Sequence, residues 1–440
     1  MNKDKIVVGL DIGTTKICAI VGRYNEFGKV DVLGMGKADS YGVSRGVVSN
    51  ITKTIEAISK AIEIAADKSG VDISTVYVGI AGQHIKSLQH RGIIIRNNVD
   101  NQVIQLEDLK KLAADMYKLA LPPGDQILHV LPQEYTVDNE PGVLEPIGMH
   151  GVRLEGNFHI ITASMSAARN IYTCVTQAGL EVEDMVLEPL ASAEAVLSDE
   201  ELEAGVALVD IGGGTTDVAV FHNNIIRHTA VIPFGGNTVT EDIMHGCSVM
   251  RRDAEQLKIK FGCALSSETK ANEIITIPGL RDKSPKEISV KNLSKIIEAR
   301  MEEILELVRC EIKNSGCEKK LNGGIVITGG GAQLKHIVHL AELITGLDAR
   351  IGLPNEHLAK GMVEEVKSPM YATGIGLLIK GLKQDDSLTD TKNSKSESGK
   401  KSSSQLSQEK ETKAERASFI KRLKDYINDI MKGGEEFKDL

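Results

Sequence analysis

Two stretches of this chain are near copies of one another. Residues 6–22 read Ile-Val-Val-Gly-Leu-Asp-Ile-Gly-Thr-Thr-Lys-Ile-Cys-Ala-Ile-Val-Gly, and residues 206–221 read Val-Ala-Leu-Val-Asp-Ile-Gly-Gly-Gly-Thr-Thr-Asp-Val-Ala-Val-Phe. Each is a β-branched strand, an Asp, a turn of Gly and Thr, and a second strand. Asp11 matches Asp210, 199 residues later. A repeat at this period fits two similar domains, not a solenoid with its shorter unit. The expectation is therefore an α/β protein of two duplicated domains, each a central sheet covered by helices. A chain of 440 residues has room for two or three domains of about 150 residues.

Both halves are interrupted. Residues 84–160 carry a helix pattern over 106–119, a Pro-Pro-Gly turn at 122–124 and strands over 127–130 and 134–137, and the core-sheet pattern resumes over 158–163. Residues 236–316 carry helices within 238–261, a strand over 273–277 and a long helix over 291–314. The expected layout is a first core domain from 1–83 and 161–204, with 84–160 as its inserted subdomain. The second core domain comes from 205–235 and 317–382, with 236–316 as its insert.

Composition then changes sharply. Over 383–415 the only apolar residues are Leu388, Leu406 and Ala414. Such a segment buries too little surface to offset its ordering entropy, so it reads as a disordered linker with a mean span of roughly 30 Å. Residues 416–432 then read as an amphipathic helix. Phe419, Ile420, Leu423, Tyr426, Ile427, Ile430 and Met431 fall on one face, and Lys421, Arg422, Lys424, Asp425, Asn428, Asp429 and Lys432 on the other.

Several chemistries are disfavoured. Aromatic residues make up 3 %, with no Trp, which leaves few faces for stacking bases or sugars. A net charge of −9 argues against a nucleic-acid partner. The six cysteines form no CxxC pair, so they read as reduced thiols of a cytoplasmic protein rather than zinc ligands. Residues 1–5 lead straight into a strand with no apolar leader, and no stretch reaches the ~18 apolar residues that span a bilayer.

The paired turns carry the chemistry. In Asp11-Ile-Gly-Thr-Thr-Lys16, Gly13 frees the backbone to turn, and Thr14, Thr15 and the amides around them form a nest for phosphate oxygens. Lys16 adds a point charge. Gly212, Gly213, Gly214, Thr215 and Thr216 repeat the device after Asp210. One such turn alone would read as a plain hairpin; two in matching contexts, both led by Asp, point to phosphate. Carboxylates beside phosphates require a cation, and Mg²⁺ held through water by Asp11 and Asp210 meets that need. No P-loop or GxGxxG motif occurs. A third glycine run, Gly329, Gly330 and Gly331 followed by Gln333, ends a buried strand and opens a helix, where a flat ring or an anion approaches backbone; taken alone it is a tight β–α turn. Glu255 and Lys258 share a helical face, which alone reads as a surface salt bridge.

Taken together these residues resemble the actin, DnaK-chaperone and sugar-kinase superfamily. Asp11–Lys16 and Asp210–Asp217 are similar to its two phosphate loops and Gly329–Gln333 to its adenosine loop. Glu188-Pro189 through Ala195 and Ser368 through Leu378 are similar to its two connecting helices, and Glu255 and Lys258 to the chaperones' adenosine-side pair. Within it the chain most resembles the FtsA family of bacterial cell-division proteins. The carrying segments are Gly42-Val-Ser-Arg-Gly-Val-Val, His129-Val-Leu-Pro-Gln-Glu-Tyr135, His150-Gly-Val-Arg153 and Ala254-Glu-Gln-Leu-Lys-Ile-Lys-Phe-Gly262. The resemblance implies an actin-like fold and ATP with Mg²⁺ as cofactors, with hydrolysis at most slow and Glu188 helping to orient water. It implies polymerisation, docking of the FtsZ C-terminal tail on the 236–316 insert, recruitment of later division proteins, and a peripheral place on the cytoplasmic side of the inner membrane. The terminal helix is only mildly basic, so insertion of its apolar face must supply most of the affinity for anionic lipid. A DnaK-type chaperone would need a β-rich peptide-binding domain after residue 380. Pilus-assembly homologues of the PilM kind share the insert placement but are not expected to carry this linker and helix.

Overall fold

A computed structural model describes residues 5–96, 103–270, 272–277, 285–359 and 364–393 of the chain. The first repeat folds as a hairpin, β1 (Val7–Ile12) and β2 (Lys16–Tyr24), continued by β3 (Val30–Asp39), a short ribbon of β4 (Val43–Ser44) and β5 (Val47–Val48), helix α1 (Ile51–Ser69) and β6 (Thr75–Ile80). Asn50 caps α1, its side chain accepting from the Lys53 amide, and Gly70 ends the helix at φ 67°. The helix buries Thr54, Ala57, Ile58, Ala61 and Ala65, one face at helical spacing. It lies so close on β3 that a Cβ at Gly36 would sit 1.9 Å from the Ala61 carbonyl oxygen.

The chain next builds a separate antiparallel sheet from β7 (Lys86–Ile95), β8 (Asp125–Val137), β9 (Glu140–Val143) and β10 (Arg153–Ser164), in the order β7-β10-β8-β9. Helix α2 (Leu106–Met116) packs on it through Leu109, Leu112 and Met116. Two expectations change here. The strands expected over 127–130 and 134–137 are one strand. Pro132 sits where β8 bulges against β10, so Gln133 is an extra residue opposite Asn157 and Phe158. Residues 158–163 belong to β10 of this sheet and not to the core sheet. Their β-branched run reads alike in either place, and only long-range pairing with β7 and β8 decides.

Helix α3 (Met165–Gln177) and β11 (Glu181–Leu187) complete the first core sheet, ordered β11-β6-β1-β2-β3. Helices α4 (Glu188–Val196) and α5 (Asp199–Ala204) lead into the second repeat: β12 (Val206–Ile211), β13 (Thr216–His222) and β14 (Ile225–Ile232). Helices α6 (Gly236–Cys247) and α7 (Arg251–Phe261), the pair β15 (Ile274–Ile277) and β16 (Lys286–Ser289), and helix α8 (Val290–Asn314) follow. Strand β17 (Ile325–Thr328), helix α9 (Ile337–Thr345) and β18 (Ala349–Ile351) close the second sheet, ordered β14-β13-β12-β17-β18. Read from its other end, this is the first sheet strand for strand, with the same parallel and antiparallel joins. The duplication seen in the sequence is therefore a duplication of topology.

Helix α10 (Ala372–Asn393) crosses α4 between the two sheets, and Ala193, Val196, Ile375 and Leu378 share one apolar cluster with Ile20 and Leu208. Small residues allow the crossing: a Cβ at Gly376 would lie 1.7 Å from the Ala191 carbonyl oxygen. Helix α10 runs on into the span expected as linker. The rest of that span and the amphipathic helix of 416–432 lie outside the described residues.

Candidate functional site

The two Asp-led turns close in the same way. The Gly13 amide donates to the Lys16 carbonyl at 3.0 Å, and the Gly212 amide to the Thr215 carbonyl at 2.9 Å. Asp11 pairs across its hairpin with Cys18, and Asp210 with Asp217. The turns face each other. A Cβ added at Gly213 would lie 2.1 Å from Thr15 Oγ1, and one at Gly214 would lie 2.7 Å from Thr14 Oγ1. Thr14 Oγ1 also accepts from the Gly46 amide at 3.3 Å. Glycine is needed at 213 and 214 because any side chain would fill the seam between the turns. Thr216 Oγ1 donates to the Phe234 carbonyl at 2.9 Å, tying the second hairpin to the approach to α6.

Behind the turns stand Asp11, Glu188, Asp210 and Asp217, with the Lys16 ammonium 3.4 Å from Asp11 Oδ2. Asp210 is held by Ser192, whose hydroxyl donates to Oδ2 at 2.9 Å, and by Thr373 at 3.4 Å. Burial and the charges of Asp11, Asp217 and Asp210 push the Glu188 carboxyl well above its ordinary range. Burial also raises Asp210, against the Ser192 hydrogen bond. Burial and the neighbouring Asp210 push Asp217 up to about 8. Burial alone would lower Lys16, but Asp11 outweighs it and the ammonium stays above its usual value. Carboxyls raised by burial and by one another's charge mark a place suited to a cation. Asp217 Oδ1 is buried with no hydrogen-bond partner among the described residues, a lone pair left over in the site. Among those residues no group of three or more His, Cys, Asp or Glu stands close enough to hold a metal by itself. A cation here would need water or ligand oxygens as well.

The third glycine run meets the second turn. A Cβ at Gly329, which has φ 82°, would lie 2.3 Å from Asp210 Oδ1, and one at Gly331 would lie 2.3 Å from Ile211 Cγ2. Gly330 to Gln333 form a 3₁₀ turn, and the helix expected to follow directly begins only at Ile337. Gln333 is exposed and its amide reaches back to the Gly330 carbonyl at 3.4 Å. Lys258 is a built element and not a loose surface charge. Its ammonium pairs with Glu255 at 2.8 Å and donates to the Gly236 carbonyl and Thr240 Oγ1, each at 2.8 Å. The Gly236 amide in turn donates to Gly212 of the second turn. Asp11, Glu188, Asp210, the two turns, Gly329 and Gly331 thus stand around one seam, with Glu255 and Lys258 joined to it through Gly236, while Gln333 meets only Gly330. Phe419, Ile420, Leu423, Tyr426, Ile427, Ile430 and Met431 lie outside the described residues.

Sequence reasoning passed over Ser192, Thr373, Tyr371 and Asp217. Asp217 closed the second motif in plain view. The others carried no local signal, because only the crossing of α4 and α10 brings them to the turns.

A family model described as "Cell division protein FtsA" matches residues 207–376, and one described as "SHS2 domain inserted in FTSA" matches residues 82–162. The chain is 43 % identical to a cell division protein FtsA of Pseudomonas aeruginosa, covering 88 % of this chain and 91 % of that protein. It is 35 % identical to that of Escherichia coli K12, covering 86 % and 90 %. Among solved structures it is similar to a chain of the PilM-PilN type IV pilus biogenesis complex, with a TM-score of 0.62 at 15 % identity over 86 % of this chain and 98 % of that one. It is also similar to MreB5 of Spiroplasma citri bound to ADP, with a TM-score of 0.51 at 15 % identity over 87 % and 99 %. These structural likenesses show the α/β, actin-like fold.

Proposed function

The chain belongs to the FtsA family of cell division proteins, and from that premise we propose that it binds ATP between its facing turns, polymerises, and anchors the FtsZ ring to the cytoplasmic face of the inner membrane. The observation that carries the nucleotide part is the seam itself: two glycine turns aligned on each other, with buried carboxyls behind them. MreB5, of similar fold, was solved with ADP. Here Thr14, Thr15, Thr215, Thr216 and the turn amides would bind phosphate oxygens, with Lys16 as their counter-charge. Gly329, Gly330, Gly331, Gln333, Glu255 and Lys258 would border the adenosine. The surplus carboxylate charge and the orphaned Asp217 oxygen fit Mg²⁺, which Asp11 and Asp210 would hold through water. Bound there, Mg²⁺ would neutralise phosphate charge. Glu188, with its carboxyl pushed toward the protonated form, would orient a water but accept its proton poorly, which makes hydrolysis slow.

Closure of the two domains on ATP would favour the filament-competent shape. The FtsZ tail would dock on the 236–316 insert, later division proteins would be recruited to the same assembly, and the 416–432 helix would insert into anionic lipid. Weak single tails suit a polymer, because many add through avidity. Family membership favours this division role over a pilus-assembly one, for which fold likeness alone speaks.

The experiment is flotation with anionic liposomes and MgATP, comparing the full chain with one ending at Glu415. The full chain is expected to float and to carry added FtsZ with it, while the shortened chain stays behind. If both stay in solution, the membrane role fails. If a fluorescent ATP analogue also gives no binding signal, the nucleotide role fails with it.

A further inference from the structure

The ammonium of Lys16 sits between two partners. Asp11 Oδ2 lies 3.4 Å away, long for a charge-assisted hydrogen bond, which usually closes to about 2.7–2.9 Å. On another side is the ring of Tyr371, its centroid 5.2 Å from Nζ. Tyr371 is 2 % exposed, so its face is shielded from water, where a cation–π contact is strongest. Its hydroxyl is anchored in turn, donating to Glu365 Oε1 at 3.0 Å and accepting from Lys37 Nζ at 3.4 Å. Lys37 and Glu365 pair at 2.8 Å.

Tyr371 also belongs to a segment that touches the other two loops. The Pro369 carbonyl accepts from the Gly329 amide at 3.1 Å and from Thr328 Oγ1 at 3.2 Å. Thr373 bonds Ser192 at 3.0 Å and Asp210 at 3.4 Å. The segment 369–373, leading into α10, therefore meets Lys16 of the first turn, Asp210 ahead of the second and Gly329 of the third.

We propose that Tyr371 is a positioning residue for Lys16: its ring holds the ammonium off Asp11 and presents it to incoming phosphate. Without the ring, Lys16 would settle onto Asp11, and phosphate would have to break that pair first. The proposal rests on the reading of the seam as a nucleotide site. The Lys37–Glu365 pair joins β3 to the segment ahead of α10, so it fixes the ring relative to both halves of the molecule.

The test measures ATP and adenosine binding, by displacement of a fluorescent ATP analogue, for the full chain and its Tyr371→Phe, Tyr371→Leu, Lys16→Met and Lys16→Met/Tyr371→Leu variants. Tyr371→Phe keeps the face and is expected to stay within about two-fold of the parent for ATP. Tyr371→Leu is expected to weaken ATP roughly 3- to 30-fold and leave adenosine unchanged. In the Lys16→Met background the same change should have no further effect, because the two residues act as one unit. Should Tyr371→Leu not fold, phenylalanine analogues with one, two and three ring fluorines at 371 keep the shape while draining the ring face, and ATP affinity should fall stepwise. Equal losses with and without Lys16, or no response to fluorine, overturn the positioning role while leaving nucleotide binding intact. A parent chain that binds no ATP overturns the nucleotide reading and this proposal together.

Discussion

At Gly213 a single hydrogen stands where any side chain would meet Thr15 Oγ1 at 2.1 Å. Gly213→Ala is therefore expected to push the turns apart and weaken ATP binding by roughly ten-fold or more, at a cost to stability of about 1–3 kcal/mol. Thr15→Ala removes the opposing oxygen, so the double variant should regain part of the stability; calorimetry on the four proteins checks the compensation. Asp217 poses the opposite problem, a buried oxygen with nothing to bind among the described residues. Asp217→Asn lowers the negative charge of the site without changing its shape. It is expected to raise the melting temperature of the nucleotide-free chain at pH 8 and above, and to reduce the Mg²⁺ dependence of ATP binding in titrations with and without EDTA. Both residues were written in the motif Asp210–Asp217. The meeting of Gly213 with Thr15 was not, because the seam joins loops about two hundred residues apart.

Helices α4 and α10 form the element on which the site turns. Gly376 allows the Ala191 carbonyl within 1.7 Å of its missing Cβ, a backbone contact that no rotamer change relieves. Gly376→Ala is expected to cost at least about 3 kcal/mol, seen as a fall in melting temperature of several degrees. It should also loosen the Ser192–Thr373–Asp210 contacts, so amide exchange should quicken at both helices. The Ala-rich segment after Pro189 was legible in the sequence as a helix, and the segment 368–378 through its likeness to the superfamily's second connecting helix. The repeated hairpins β1–β2 and β12–β13 and the strand β17 were legible too, from β-branched runs and the internal repeat. What was not legible was strand partnership. Residues 158–163 look locally like any buried strand, yet β7 and β8 claim them, and Pro132 seemed to split a strand that a bulge keeps whole.

For the whole molecule, buried groups of opposite sense set the response to pH. Partial burial holds His84 near 4 and full burial holds His159 near 4. Their contribution is present above the ordinary histidine value of about 6.5 and is lost as pH falls toward 4. Asp217, held near 8, with Glu188 and Asp210 raised beside it, behaves in reverse: its contribution is full below about 4 and is lost as pH rises to about 8. The two trends oppose each other below 6.5, and only the loss remains above it. Stability without nucleotide is therefore expected to fall as pH rises from about 6.5 to about 8, and Asp217→Asn should flatten that alkaline side in a series of urea titrations. The second sheet is also locked to the separate antiparallel one. Gln133, the bulge residue, donates to the Ile226 carbonyl at 3.0 Å, and His159 Nε2 lies 3.0 Å from Thr229 Oγ1. The matching order of the two core sheets has a last consequence. A site made by folding one motif twice has a pseudo-dyad through its centre. The dyad is broken in the turns themselves, where Thr14, Thr15 and Lys16 stand at the places of Gly213, Gly214 and Thr215, and again at its flanks. After β17 Gly330 faces open space, whereas at the equivalent place after β6 Gly82 is packed against the backbone of Arg45 and Gly46. Under the nucleotide reading it is these inequalities, and not the shared topology, that would tell the ligand's head from its tail.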